Sequence, residues 1–173
     1  ALEWARNLCL SDKYKDHVVI YMTHSYMKCS GYCDNALIQR ENYPLTKKEG
    51  NNSGQQIWEK LVSQVPNLRL VLCGHHAHGA DKEGNDKYEG SIGWRVDKNN
   101  AGEKVYQMLY DTQTLGGGWE GNGGDGWLRI LEFMPDGKTV KVRTYSPLFG
   151  ISPVTRHLAS RTGKLDQFDF VID

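Results

Sequence analysis

No run of apolar residues in this chain approaches the roughly 20 that a membrane-spanning helix requires; the longest, such as Val18-Val19-Ile20-Tyr21-Met22, have the length of a strand. Net charge is also lacking, because 21 Lys and Arg stand against 21 Asp and Glu. Without an excess of positive charge the chain has no broad attraction to nucleic acid or to an acidic membrane surface, and neither is an expected partner. Cysteine is scarce: four in 173 residues is too few for a disulfide framework at this size. Cys29 and Cys33 are close enough to be bridged or to hold a metal, but no second Cys pair at ligand spacing accompanies them, and ordinary thiols are expected. Cys9 and Cys73 lie in apolar surroundings and read as small buried hydrophobes. The opening Ala1-Leu2-Glu3-Trp4-Ala5-Arg6 has neither an initiator Met nor the basic-then-apolar pattern of a signal peptide, so a longer parent chain is expected.

What is present fits one domain over residues 1–173, since domains run to about 100–200 residues. Apolar residues together with the 19 Gly make up the share usual for a packed globular core. Leu2, Ala5, Leu8 and Cys9 have the spacing of a helix with one buried face. His17 to Met22 is a continuous β-branched and aromatic run that suits a strand covered on both faces, ending at Thr23-His24-Ser25. Residues 26–52 show no periodicity and read as a long excursion. Ser53-Gly54-Gln55-Gln56 matches a capping box, followed by the apolar stripe Ile57, Trp58, Leu61, Val62 and Val65 and a stop at Pro66. Leu68 to Cys73 is a second buried strand. A strand, helix, strand succession implies a right-handed parallel crossover, which brings His24 and Gly74-His75 side by side at the carboxyl edge of one sheet.

After a polar loop over 80–100, with a short strand around Ile92 to Val96, the pattern changes. Val105 to Tyr110, Trp127 to Phe133 and Thr139 to Tyr145 read as strands, the last two joined by the turn sequence Met134-Pro135-Asp136-Gly137-Lys138. Phe168 to Ile172 adds an edge strand. The expected fold class is therefore α/β, one βαβ crossover followed by mainly antiparallel strands. Residues 116–126 hold seven Gly in eleven positions and read as a flexible connection; no helix follows them, so they are not a phosphate-binding Gly-rich loop.

The chemistry-bearing constellation is Gly74-His75-His76-Ala77-His78-Gly79 facing Thr23-His24. Neutral imidazole is a common ligand for transition metals, and a sheet edge places it rigidly while leaving coordination positions open to water. His17 and His157 read as ordinary surface residues. If the chain turns after Gly74, His75 and His78 meet; if it runs extended, His76 and His78 share a face.

These landmarks, in this order, resemble the calcineurin-like metallophosphoesterases, especially their bacterial branch, over roughly residues 4–150. Val18 to His24 is similar to a strand ending in a metal-binding His. Asn52-Ser53-Gly54 with the Ile57-Trp58 helix is similar to the next landmark, and Leu70-Val71-Leu72-Cys73-Gly74-His75 to the strand entering a Gly-His-x-His motif. Asp125 to Leu131 and Thr144-Tyr145-Ser146-Pro147 resemble the terminal strands. The resemblance implies a metallophosphoesterase-type β-sandwich flanked by helices, with His24, His75 and His78 as metal ligands. His76 is the rival, because Ala77 stands where the motif has its second His. It also implies two divalent transition metal ions, Zn, Mn, Fe and Ni being equally compatible, and hydrolysis of a small phosphomonoester or phosphodiester. The family's Asp-x-His, Gly-Asp-x-x-Asp and Gly-Asn-His motifs are absent. By the resemblance, then, residues 1–173 are the C-terminal portion of a catalytic domain whose N-terminal half completes the site, and the portion alone has little or no activity. Related bacterial proteins are often exported, which suits a periplasmic or extracellular setting.

Two other readings compete. Trp94, Trp119 and Trp127 lie in or beside loops, where aromatic rings can stack on sugars or bases, as in a noncatalytic carbohydrate- or ligand-binding module. A zinc amidase or peptidase would want a carboxylate general base close to the metal, and no His-Glu-x-x-His occurs.

Overall fold

The computed structural model describes residues 1–41, 51–76, 90–116 and 123–172. Three helices and eleven strands follow one another as α1 (Leu2–Cys9), β1 (Val19–Thr23), β2 (Met27–Lys28), β3 (Tyr32–Cys33), β4 (Leu37–Ile38), α2 (Gly54–Lys60), β5 (Leu68–Cys73), β6 (Ser91–Lys98), β7 (Lys104–Asp111), β8 (Leu128–Phe133), β9 (Thr139–Tyr145), α3 (Pro147–Ile151), β10 (Ser160–Arg161) and β11 (Phe168–Val171). None of the described helices is long and apolar enough to cross a membrane.

The expected crossover forms. β1 and β5 pair in parallel, with Thr23 opposite Cys73, and α2 lies between them in sequence. A five-stranded sheet runs β1-β5-β7-β6-β3, with β5 parallel to β7, β7 antiparallel to β6 and β6 parallel to β3. In a second sheet β9 pairs antiparallel with β8 along one edge and with β11 and β10 along the other. The fold is mixed α/β.

Strand alternation distributes β5 between two cores, because successive side chains point to opposite faces. From Leu70 onward Val71 and Cys73 join a core with Tyr26, Met27, Ile57, Leu61, Val62, Val65 and Leu109, on which α1 and α2 lie; Leu68, before the register shift opposite Val19 and Ile20, belongs to this core too. Leu70 joins the other, with Tyr106 and Met108 from the first sheet and Val140, Val142 and Phe170 from the second. The start of α2 follows the capping-box expectation: Ser53 Oγ accepts from the Gln56 N–H, and the Gln56 side chain accepts from the Ser53 N–H. At Gly54 the backbone of Tyr26 comes so near that a Cβ would lie 2.0 Å from its carbonyl oxygen. Only Gly lets α2 begin there.

Four expectations are corrected. β1 is an edge strand that is not covered on both faces: among the described residues it pairs with β5 alone, and Val18, Ile20 and Met22 are exposed, Met22 at 73%. The excursion 26–52 contains core. Tyr26 and Met27 are fully buried, β2 pairs with β4, and the Gln39 N–H donates to the Tyr26 carbonyl. Trp94 lies on strand β6, half-buried against the second core, with Phe168 and Phe170 at ring separations of 4.9 and 5.1 Å, rather than in a loop. Cys29 and Cys33 form a disulfide. Gly31, at φ +75°, turns the chain between them, and its carbonyl accepts from the Ile92 N–H, which brings the two Cα atoms to 6.0 Å.

Of the glycine-rich stretch, 117–122 lie outside the described residues; 123–126 form a close turn in which Trp127 N–H donates to Gly124 O. His17 and His157 are exposed, as expected.

Candidate functional site

The carboxyl ends of β1 and β5 bring together two of the three expected ligands. The Gly74 N–H donates to the His24 carbonyl at 3.1 Å, carrying the parallel ladder one step beyond the strands. The chain then turns at once, with the His76 N–H donating to the Gly74 carbonyl at 2.8 Å and His75 at φ +66° between them. A non-glycine residue in this left-handed region is uncommon and costs of order 1–3 kcal/mol, a strain that persists only where the surroundings over-determine it. Its effect is to lay the His75 ring against that of His24, with centroids 4.5 Å apart.

Of the histidines between which the sequence left the choice, the described residues place His75 and His76. His75, at the turn, is the histidine that meets His24. His76 is held elsewhere, its Nδ1 accepting from the Cys29 N–H at 3.3 Å. His78 and Ala77 lie outside the described residues.

Burial, and next the neighbouring His24 ring, hold His75 below the ordinary imidazole range, while the Asp111 carboxylate pulls the other way. A depressed imidazole is neutral at physiological pH, the form that can ligate a metal. Among the described residues no group of three His, Cys, Asp or Glu side chains forms a complete metal site. The pair His24 and His75 fits two positions of a coordination sphere and leaves the others to be supplied.

Sequence reasoning missed the floor of this site. A groove of about 470 Å³ is lined by Met22, Thr23, His24, Leu72, Cys73, Gly74 and Tyr110. Tyr110, at the end of β7, lies under the Arg129 guanidinium, 4.5 Å from Cζ to the ring centroid. Arg129 itself is buried between the sheets, with Nη2 3.9 Å from Asp166 Oδ1 and both side chains 4% exposed. Burial pushes the Tyr110 phenol up to about 12. The signal in the sequence was slight: Arg129 sits in the alternating segment Leu128-Arg129-Ile130-Leu131, and its cross-strand partner Thr144 is inward and buried. Trp127 is also engaged, with Arg161 stacked 4.4 Å over its ring and Phe149 against its edge. Trp119 lies outside the described residues.

No family profile matches the chain, and no solved structure matches it. Among curated proteins it is similar to "Uncharacterized protein YvnB" of Bacillus subtilis (strain 168), at 29% identity over 161 residues. The alignment takes in 93% of this chain and 10% of that protein, so the chain spans about a tenth of the length of the curated relative it matches.

Proposed function

We propose that this chain is the C-terminal portion of a metal-dependent phosphoester hydrolase of the calcineurin-like kind, with the metallophosphoesterase-type sandwich as its architecture. The observation that carries the reading is the juxtaposition of His24 and His75 at the carboxyl ends of two adjacent parallel strands, where open α/β sheets place their ligands. Within it, His24 and His75 would hold metal through their imidazoles, with His78 as the third donor. Divalent transition ions bound there supply Lewis-acid polarisation of a phosphoester and a water nucleophile at neutral pH. The contribution of this chain is positional. β1 and β5 fix the two rings, and Tyr110 walls the groove beside them. Arg129 is too deeply buried to meet a substrate directly and serves to brace Tyr110. The remaining ligands belong to a preceding N-terminal half, so the chain alone turns over little or no substrate.

The test is elemental analysis of the chain and of its longer parent, beside His75→Ala and His78→Ala variants, with a generic phosphodiester assay on the parent. About two transition metals in the parent, one or none in the chain, and loss in both variants support the reading. A parent without metal and without turnover overturns it, and a noncatalytic binding module becomes the leading account. Of the aromatic residues that suggested this second reading, Trp94 packs against Phe168 and Phe170, and Trp127 lies under Arg161.

A further inference from the structure

We infer that the disulfide loop Cys29–Cys33 and His76 are positioning elements for the His24–His75 pair, which makes the candidate site responsive to reduction by a dithiol. The inference takes that pair as the site and so rests on the proposed function, but its geometry stands apart from any metal.

The starting point is the strained turn. His75 occupies a left-handed backbone conformation that a side-chain-bearing residue rarely adopts, so its neighbours must hold it there. On one side Gly74 is tied to β1 by the bond from its N–H to the His24 carbonyl. On the other, a side-chain bond runs from the Cys29 N–H to His76 Nδ1, so the direction of the Cys29 amide bears on the turn.

That amide belongs to a fastened loop. The Cys29 carbonyl accepts from Ser91 Oγ at 3.0 Å, the Gly31 carbonyl from the Ile92 N–H at 2.8 Å, and β3 pairs with β6 through Tyr32 and Cys33. β3 has only two residues, too short a ladder to hold an edge by itself. The bond from Cys29 to Cys33 closes the loop across this short ladder, joining a buried residue to the edge strand. Two consecutive histidines are thus held from two directions, His75 against β1 and His76 against the disulfide loop. Reduction delivers two electrons and two protons to the Cys29–Cys33 bond, leaving two thiols, while the dithiol closes to its own disulfide. The β3 edge is then free to part from β6, the Cys29 amide loses its fixed direction, and the turn at His75 relaxes.

The experiment is NMR of the chain with labelled histidine, reading the cross-relaxation between the His24 and His75 rings with the disulfide intact and after treatment with dithiothreitol, beside Zn²⁺ titration. The variants are Cys33→Ser, His76→Ala and His76→Gln, whose side-chain oxygen can still accept from the Cys29 N–H. Reduction, C33S and H76A are expected to weaken the ring contact severalfold and Zn²⁺ affinity by about tenfold, the scale on which groups that orient metal ligands act. H76Q is expected to restore most of both, which a merely structural loss would not. A ring contact unchanged by reduction and by H76A, in samples of equal thermal stability, overturns the inference. If the longer parent holds no metal while the ring contact still responds to reduction, the positioning stands and the metal reading fails. If Zn²⁺ binds equally well with and without reduction, the metal reading stands and the positioning fails.

Discussion

The residue whose loss the structure penalises most clearly outside the candidate site is Gln107. It is fully buried on β7, its Oε1 accepting from the Tyr26 hydroxyl at 2.7 Å and its Nε2 donating to Asp97 Oδ2 at 2.6 Å, with Asp97 paired in turn to Arg95. Buried polar groups are stable only when such a chain is complete. Gln107→Leu strands the buried Tyr26 hydroxyl and takes one donor from Asp97, which keeps Arg95, and is expected to lower stability by about 1–3 kcal/mol in denaturant unfolding. Tyr26→Phe removes one end and is expected to cost about 1 kcal/mol, and in the double variant the two effects sum to less than their separate values. Of this network the sequence showed little, because Tyr26 stands in a segment with no periodicity and its partner is 81 residues away. The histidines were more legible. His24 and Gly74-His75 end apolar runs of strand length, and parallel pairing of those runs forces them together. What the spacing could not settle, whether His75 or His76 meets His24, is decided by a turn whose anchor is the Cys29 amide, 47 residues upstream of His76.

At the scale of elements, local signals were read correctly where the chemistry is local. The capping box of α2 needs only Ser53 and Gln56, and both bonds form. Ser53→Ala removes the acceptor for the Gln56 N–H and is expected to lower stability by about 1 kcal/mol, read as a shift in thermal midpoint. The β8–β9 turn is equally local: Asp136 accepts from the Thr139 hydroxyl and from the backbone N–H groups of Thr139 and Lys138, which hold its carboxyl down to about 2. The sign follows from that depression. Its stabilisation is present above the ordinary carboxylate pKa of about 4 and is lost as pH falls through 2. Asp136→Asn is therefore expected to lower stability in the neutral region and to converge with the parent chain as pH falls through about 2, which flattens the acid limb of a stability-versus-pH curve between about pH 4 and 2. Elements fixed by distant partners were less legible. β8 directs Arg129 and Leu131 inward and leaves Ile130 exposed, because its register on β9 sets Arg129 opposite the buried Thr144 and Leu131 opposite the buried Val142.

Across the whole molecule, both sheets end in strands paired on one side only among the described residues. β1 closes the first and β8 the second, and between them Val18, Ile20, Phe133, Lys138 and Ile172 line a groove of about 280 Å³. An edge strand with an unpaired ladder and exposed apolar side chains is a template for further strands. The isolated chain is expected to self-associate as its concentration rises. Ile20→Lys, which puts a charge on that edge, is expected to raise the monomer fraction in sedimentation without lowering the thermal midpoint by more than a degree or two, because a surface change costs about 0.5 kcal/mol or less. The sequence could not reveal this exposure: an apolar run such as Val18 to Met22 looks the same whether its outer neighbour is present or not.

The parallel pairing of β1 with β5 also sets a tempo. Thr23 meets Cys73 only after a loop of some fifty residues has closed, whereas β6 with β7 and β8 with β9 are neighbours in the chain. Loop-closure entropy delays such distant pairings, so the antiparallel hairpins form first and the β1–β5 ladder last. In refolding, the pairing of β6 with β7 and of β8 with β9 would run ahead of the meeting of the His24 and His75 rings, and a chain halted between the two events would carry most of its strands and none of its candidate site.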